Sequence, residues 1–204
     1  MTRLTTCADA EAVAARAAAE IARHLQRVCA ERGAAHLALS GGTTPRRTYE
    51  LLAKEPMDWS GVEVWFADER CVGPDDADSN YKLAAETLLA EAAIPPERIH
   101  RMEGELGPEE GARRYALALG EHVRLGDGDL PVLDLVVLGI GPDGHVASLF
   151  PGAATLDAGE HALCLGVHDS PKPPPERITL SLAVLRAAHC CLLCLLYTSD
   201  AADE

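Results

Sequence analysis

Basic residues are scarce in this chain: 18 Lys+Arg stand against 32 Asp+Glu in 204 residues, a formal net charge of −14. That balance argues against nucleic acid or an anionic membrane as partner, since both need a basic footprint. It does not exclude a small anionic substrate, because a pocket can be locally basic in an acidic protein. Long apolar runs are also missing. None approaches the length that crosses a bilayer, and the opening MTRLTTCADAEAV has no signal-peptide core. The expected location is the cytoplasm. Disulfide spacing is absent as well: the seven cysteines are odd in number and mostly sit singly in apolar segments, as Cys29 and Cys164 do. One C-x-x-C, Cys191 to Cys194, lacks a second pair or an adjoining helix start and reads as packing. No H-x-x-x-H or other ligand spacing points to a metal, and none is expected. The G-x-S-x-G elbow does not occur, which leaves water as the nucleophile of any hydrolysis. There is no linker, repeat or low-complexity segment, and 48% hydrophobic with 25% charged residues is globular composition. A single domain follows.

What is present alternates. Residues 6–32 carry a helical apolar stripe (Val13, Ala17, Ile21, Leu25, Val28), with Thr6 as cap and Gly33 as the stop. Strands are expected at 36–39, 62–66, 133–138, 162–167 and 177–182, and an apolar run closes at 190–193. Helices are expected from Thr44 to about Lys54, over 80–92, over 108–124 and briefly after 182. Strands alternating with helices predict an α/β fold, a mostly parallel sheet with helices on both faces.

In such sheets, ligands bind beyond the carboxyl ends of the strands. Three strands end there in unusual polar text. Ser40-Gly-Gly-Thr-Thr-Pro45 offers glycines for close approach and free N–H groups for an anion. It lacks the P-loop lysine and the G-x-G-x-x-G spacing, so a small-molecule phosphate suits it better than a nucleotide; an ordinary strand-to-helix turn is the alternative. Asp68-Glu69-Arg70 puts a guanidinium where it can clamp phosphate or carboxylate, with the acids orienting it or binding sugar hydroxyls; a solvated ion pair is the alternative. Gly139-Ile-Gly-Pro-Asp-Gly-His145 follows the most apolar strand. Of the eight histidines, His145 alone follows a buried strand through a glycine turn, where an imidazole suits a general base acting on water; a structural loop histidine is the alternative.

Together SGGTTP at 40–45, DERCVGPDDADSNY at 68–81, LGIGPDGHVASLFPG at 138–152 and HDSPKPPPERITLSL at 168–182 resemble the 6-phosphogluconolactonase family, in order and over nearly the whole chain to Leu193. The resemblance implies an α/β domain related to glucosamine-6-phosphate deaminase and ribose-5-phosphate isomerase. It implies hydrolysis of the sugar-phosphate lactone of the pentose phosphate pathway, with no metal or organic cofactor. Carried over by motif, His145 would be the base, and Asp68 would position the sugar at the catalytic centre. Gly41, Gly42, Thr43 and Arg70 would hold the phosphate, and Arg177 is a further anion contact. Two departures stand out. Gly73 takes a place where the family often has proline. From Cys194 the string CLLYTSDAADE resembles a translated adaptor, where the family continues into another strand and a G-x-x-K segment. The expected domain therefore spans 1–193, with 194–204 a non-native tail. The rival deaminase family follows its histidine with a phenylalanine-asparagine-glutamate-proline stretch, whereas this chain has Ala147-Ser-Leu-Phe-Pro151. A non-catalytic sugar-phosphate-binding fragment is the other rival.

Overall fold

A computed structural model describes residues 2–159 and 161–195. Helix α1 (Ala10–Arg32) buries Ala17, Ile21, Leu25 and Val28 of the apolar stripe, with Ala14 buried where Val13 was expected and Val13 only half-buried. Its cap is Asp9, whose carboxylate accepts from the Ala12 N–H at 2.8 Å, and not Thr6. Gly33 closes the helix at φ 82°, a left-handed conformation that glycine adopts without cost from a Cβ.

Strands β1 (Ala35–Leu39), β2 (Val62–Phe66), β4 (Leu135–Leu138) and β7 (Cys191–Leu193) form one parallel sheet in the order β2-β1-β4-β7. Leu37 lies opposite both Val64 and Leu135. All four residues of β4 are buried, as a branched apolar run in a covered parallel sheet should be. Helix α2 (Thr43–Leu52) packs on α1.

A second sheet was not foreseen. Strands β3 (Asp68–Arg70), β6 (Arg177–Leu180) and β5 (Cys164–Val167) pair antiparallel in the order β3-β6-β5, against helix α5 (Pro108–His122). The sequence reads 62–70 as one strand and its polar end. In the fold the chain changes sheets at Ala67, whose N–H donates to Leu39 of the first sheet while its carbonyl accepts from Leu180 of the second. Alternation of residue type cannot reveal such a switch, because β3 is only three charged residues long and its partner β6 lies more than a hundred residues further along the chain. The helix expected over 80–92 is α3 (Asn80–Ala84), a π-helical turn (Ala85–Leu89) and α4 (Ala90–Ala92). Helix α6 (Leu182–Ala187) precedes β7. Of the expected tail, Cys194 and Leu195 are described, and the Cys194 N–H donates to Leu138 as β7 runs on; residues 196–204 lie outside the described residues.

Beside the parallel sheet Trp65 stacks on His100 (centroids 3.9 Å apart) and donates its indole N–H to His36 Nδ1 at 3.1 Å. Burial pushes the His36 pKa below the usual histidine range, and burial does the same to His24 on α1. The folded chain therefore holds both rings neutral, while the unfolded chain protonates them in their ordinary range. Their contribution to stability is present above that range and lost as pH falls through it. Melting temperature should drop between about pH 7.5 and about pH 5.5, and His36→Asn, which keeps an acceptor for Trp65, should flatten that drop. An equally steep fall in the variant would contradict the assignment.

Candidate active site

The seven residues singled out in the sequence line one cavity of about 260 Å³: Gly41, Gly42, Thr43, Asp68, Arg70, His145 and Arg177. Ser40, Asn80, Gly141, Cys194 and Leu195 complete much of its wall. Each group arrives there for a local reason.

The cradle forms where β1 runs into α2. Tyr49, fully buried, donates its hydroxyl to the Ser40 carbonyl at 2.8 Å and accepts the Ser40 N–H at 3.0 Å, which pins the strand end. Gly42 then turns the chain at φ 113° and occupies the cap position itself, so that the helix begins at Thr43, one residue before the expected Thr44. A glycine cap has no side chain to give, so the N–H groups of the first turn are left for a ligand. The Ser40 hydroxyl beside them is buried with no hydrogen-bond partner among the described residues, an arrangement that folded proteins rarely leave unanswered.

Strand β3 sorts its three charged residues by alternation. Asp68 and Arg70 face the cavity, whereas Glu69 is buried on the other side. Glu69 does not orient Arg70, as the sequence suggested. Its carboxylate collects the backbone N–H groups of Arg70, Asn80 and Tyr81 and the Ser79 hydroxyl, at 2.7 to 3.0 Å, and so ties down the start of α3. Burial raises its pKa while these backbone N–H groups pull the other way. The Arg70 guanidinium is held instead by the Asp78 carbonyl at 2.6 Å, and its Nε–H is buried without a partner among the described residues.

Antiparallel pairing places Arg70 directly opposite Arg177 on β6. Like charges so opposed repel unless an anion lies between them. Arg177 is 3% exposed, and burial, then Arg70, draws its pKa down from the usual arginine range. Its Nε and Nη2 donate to the carbonyls of Lys172, Pro173 and Pro174 at 3.0 to 3.1 Å, while Nη1 reaches Ser148 Oγ at 3.4 Å. Of five N–H groups, this leaves one on Nη1 for a ligand. Arg70 is the freer of the two.

His145 leaves β4 through a turn in which the Gly141 N–H donates to the His145 carbonyl at 2.9 Å. A Cβ on Gly141 would stand 2.1 Å from the His145 ring, so only glycine lets the imidazole fold back over the turn. The spacing Gly139-x-Gly141-x-x-Gly144 matches a dinucleotide fingerprint, but a turn follows it in place of the helix that fingerprint needs. The ring packs on Phe150 (centroids 4.6 Å apart), and its Nδ1 lies 2.5 Å from Asp143 Oδ1. An ionised carboxylate only accepts, so Nδ1 carries the proton and Nε2 is the free nitrogen. Asp143 is held at about 2, chiefly by the His145 hydrogen bond with Lys172 assisting at 3.3 Å, and stays ionised at neutral pH.

Asp143, Asn80 and Ser148 were not singled out in the sequence. Asp143 had a visible signal, two residues before His145 in a glycine turn. Asn80 passed for the first residue of the helix expected over 80–92, whose cap is Ser79, accepting from the Lys82 N–H at 3.1 Å. Ser148 donates to Asp68 Oδ2 at 2.7 Å across 80 residues, which no local pattern shows. Among the described residues no three His, Cys, Asp or Glu side chains come together as metal ligands, and no helix is long and apolar enough to cross a membrane.

An α/β domain whose strand ends gather a glycine cradle, two facing guanidiniums and an oriented imidazole is a protein with a site for a small anionic molecule. The chain belongs to the glucosamine-6-phosphate isomerases/6-phosphogluconolactonase family, whose model matches residues 8–201. It is 40% identical over 198 residues to a probable chloroplastic 6-phosphogluconolactonase 3 of Oryza sativa subsp. indica, covering 91% of this chain and 60% of that protein. A 6-phosphogluconolactonase of Streptomyces coelicolor is 37% identical over 191 residues, covering 89% and 73%. Among solved structures, a 6-phosphogluconolactonase from Shewanella baltica matches with a TM-score of 0.86 and 32% identity, covering 99% of this chain and 84% of that one. A monomeric glucosamine-6-phosphate deaminase, at 21% identity and a TM-score of 0.76, shares the fold.

Proposed function

We propose that this chain hydrolyses 6-phosphoglucono-1,5-lactone to 6-phosphogluconate, with one domain over 1–193 acting in the cytoplasm. The observation that carries this is a single cavity in which opposed guanidiniums and a glycine cradle face an imidazole with a free Nε2. The phosphate binds the Gly41–Thr43 backbone and Arg70, with the last N–H of Arg177. Asp68 accepts from a ring hydroxyl. His145 Nε2 takes a proton from water, whose oxygen attacks the lactone carbonyl. As the tetrahedral intermediate collapses, the imidazolium returns that proton to the departing ring oxygen, and the new acid ionises. A δ-lactone is a reactive ester, so positioning and one base suffice.

Asp143 keeps Nδ1 protonated and stabilises the imidazolium as it forms. Asp143→Asn should lower kcat by about tenfold or more while leaving KM within about threefold, because an amide offers no charge to the ring. Unchanged kcat would remove Asp143 from the mechanism. The test of the function itself is incubation with two substrates: the lactone should yield 6-phosphogluconate, and glucosamine 6-phosphate should yield no ammonia. Ammonia release without lactone turnover would replace this function by that of the deaminase. Favouring the lactonase, the loop after the base reads Val146-Ala-Ser148 with no carboxylate.

A further inference from the structure

Asn80 takes no part in the chemistry above, yet it touches two other parts of the cavity wall, Asp68 and Gly41. Its backbone N–H is fixed by the buried Glu69 carboxylate at 2.7 Å. Its side-chain amide Nδ2 donates both to the Asp68 carbonyl at 2.9 Å and to Asp68 Oδ1 at 3.1 Å. The same side chain presses on the cradle: a Cβ built on Gly41 would stand 1.8 Å from Asn80 Oδ1. The other oxygen of Asp68 is taken by Ser148, so each carboxylate oxygen has one neutral donor and a lone pair to spare. Asn80 is buried, so its amide cannot exchange these bonds for water.

We propose that Asn80 is a positioning residue that locks the Asp68 carboxylate to the glycine cradle, so that the hydroxyl-binding and phosphate-binding parts of the cavity keep one fixed separation. This rests on the lactonase reading of the cavity. Gly41 is then a glycine because of Asn80: its φ lies outside the left-handed region, and the three atoms nearest to a Cβ there all belong to the Asn80 amide.

Two double-mutant cycles test it on the full chain. In the first, kcat and KM for the lactone are measured for Asn80→Ala, Asp68→Asn and the pair. Asn80 acts through Asp68, so each single variant should lose about 10- to 100-fold in kcat/KM and the pair no more than the worse single. A merely structural role would multiply the two losses, and that result would overturn the proposal. In the second, melting temperatures are compared for Gly41→Ala with and without Asn80→Ala. The methyl should lower the melting temperature in the parent and hardly at all once the amide is gone. Equal shifts in both backgrounds would overturn the proposal with no substrate present. Failure of the lactonase reading would show in the unmodified protein, and failure of this inference only across the variants.

Discussion

With glutamine in place of His145, turnover of 6-phosphogluconolactone is expected to fall by about 10²- to 10⁴-fold, the usual worth of a positioned base. Affinity for 6-phosphogluconate should stay within a few-fold, because the phosphate contacts lie on β3, β6 and the start of α2. The substitution is a mild one for the fold. The ring is at the cavity wall against Phe150, and glutamine can still reach Asp143. What is lost is the free Nε2 and its capacity to accept a proton from water. Asp143 cannot substitute, since a carboxylate held at about 2 is too weak a base for that step. Steady-state kinetics corrected for spontaneous lactone opening, beside calorimetric binding of the product, separate the two effects. A variant with full turnover would exclude His145 as the base; one with lost binding would make it a substrate contact.

The two arginines should fail differently, although they face each other across one ladder. Arg70→Met removes a guanidinium that among the described residues has one backbone anchor, at Asp78, and an Nε–H with no partner. KM should rise by about 10- to 100-fold, the worth of one or two charge-assisted hydrogen bonds, with the melting temperature nearly unchanged. Relief of the repulsion with Arg177 offsets part of any loss in stability. Arg177→Met should raise KM comparably and also lower the melting temperature by several degrees. It abandons three carbonyls and the Ser148 hydroxyl that the buried guanidinium now satisfies. Lysine would not rescue it, because a single ammonium cannot span three carbonyls in a plane. Equal thermal shifts for both variants would contradict this division of labour.

The fold was legible where a pattern is local. The branched run before Leu138 announced a covered strand, and Gly33 marked a helix end. The second sheet was not legible, since Ala67 changes partners through backbone bonds that any residue could make. Among site residues the same division holds. Gly41, Arg70 and His145 stand in short strings whose chemistry is unusual in itself. Arg177 could be placed only through the family resemblance, because its value comes from being opposite Arg70, more than a hundred residues earlier. Asn80 and Ser148 were missed because a neutral side chain in a loop or at a helix start has an ordinary explanation; only proximity to Asp68 gives them another.

The central claim is that the cradle with its guanidiniums and the His145 nitrogen address opposite ends of one molecule. A crystal structure with 6-phosphogluconate bound measures that directly. The phosphate should lie on the Gly41–Thr43 backbone and Arg70, with the carboxylate within hydrogen-bond reach of His145 Nε2. A product bound in reverse, with its phosphate on His145, or seated outside the cavity, would contradict the account.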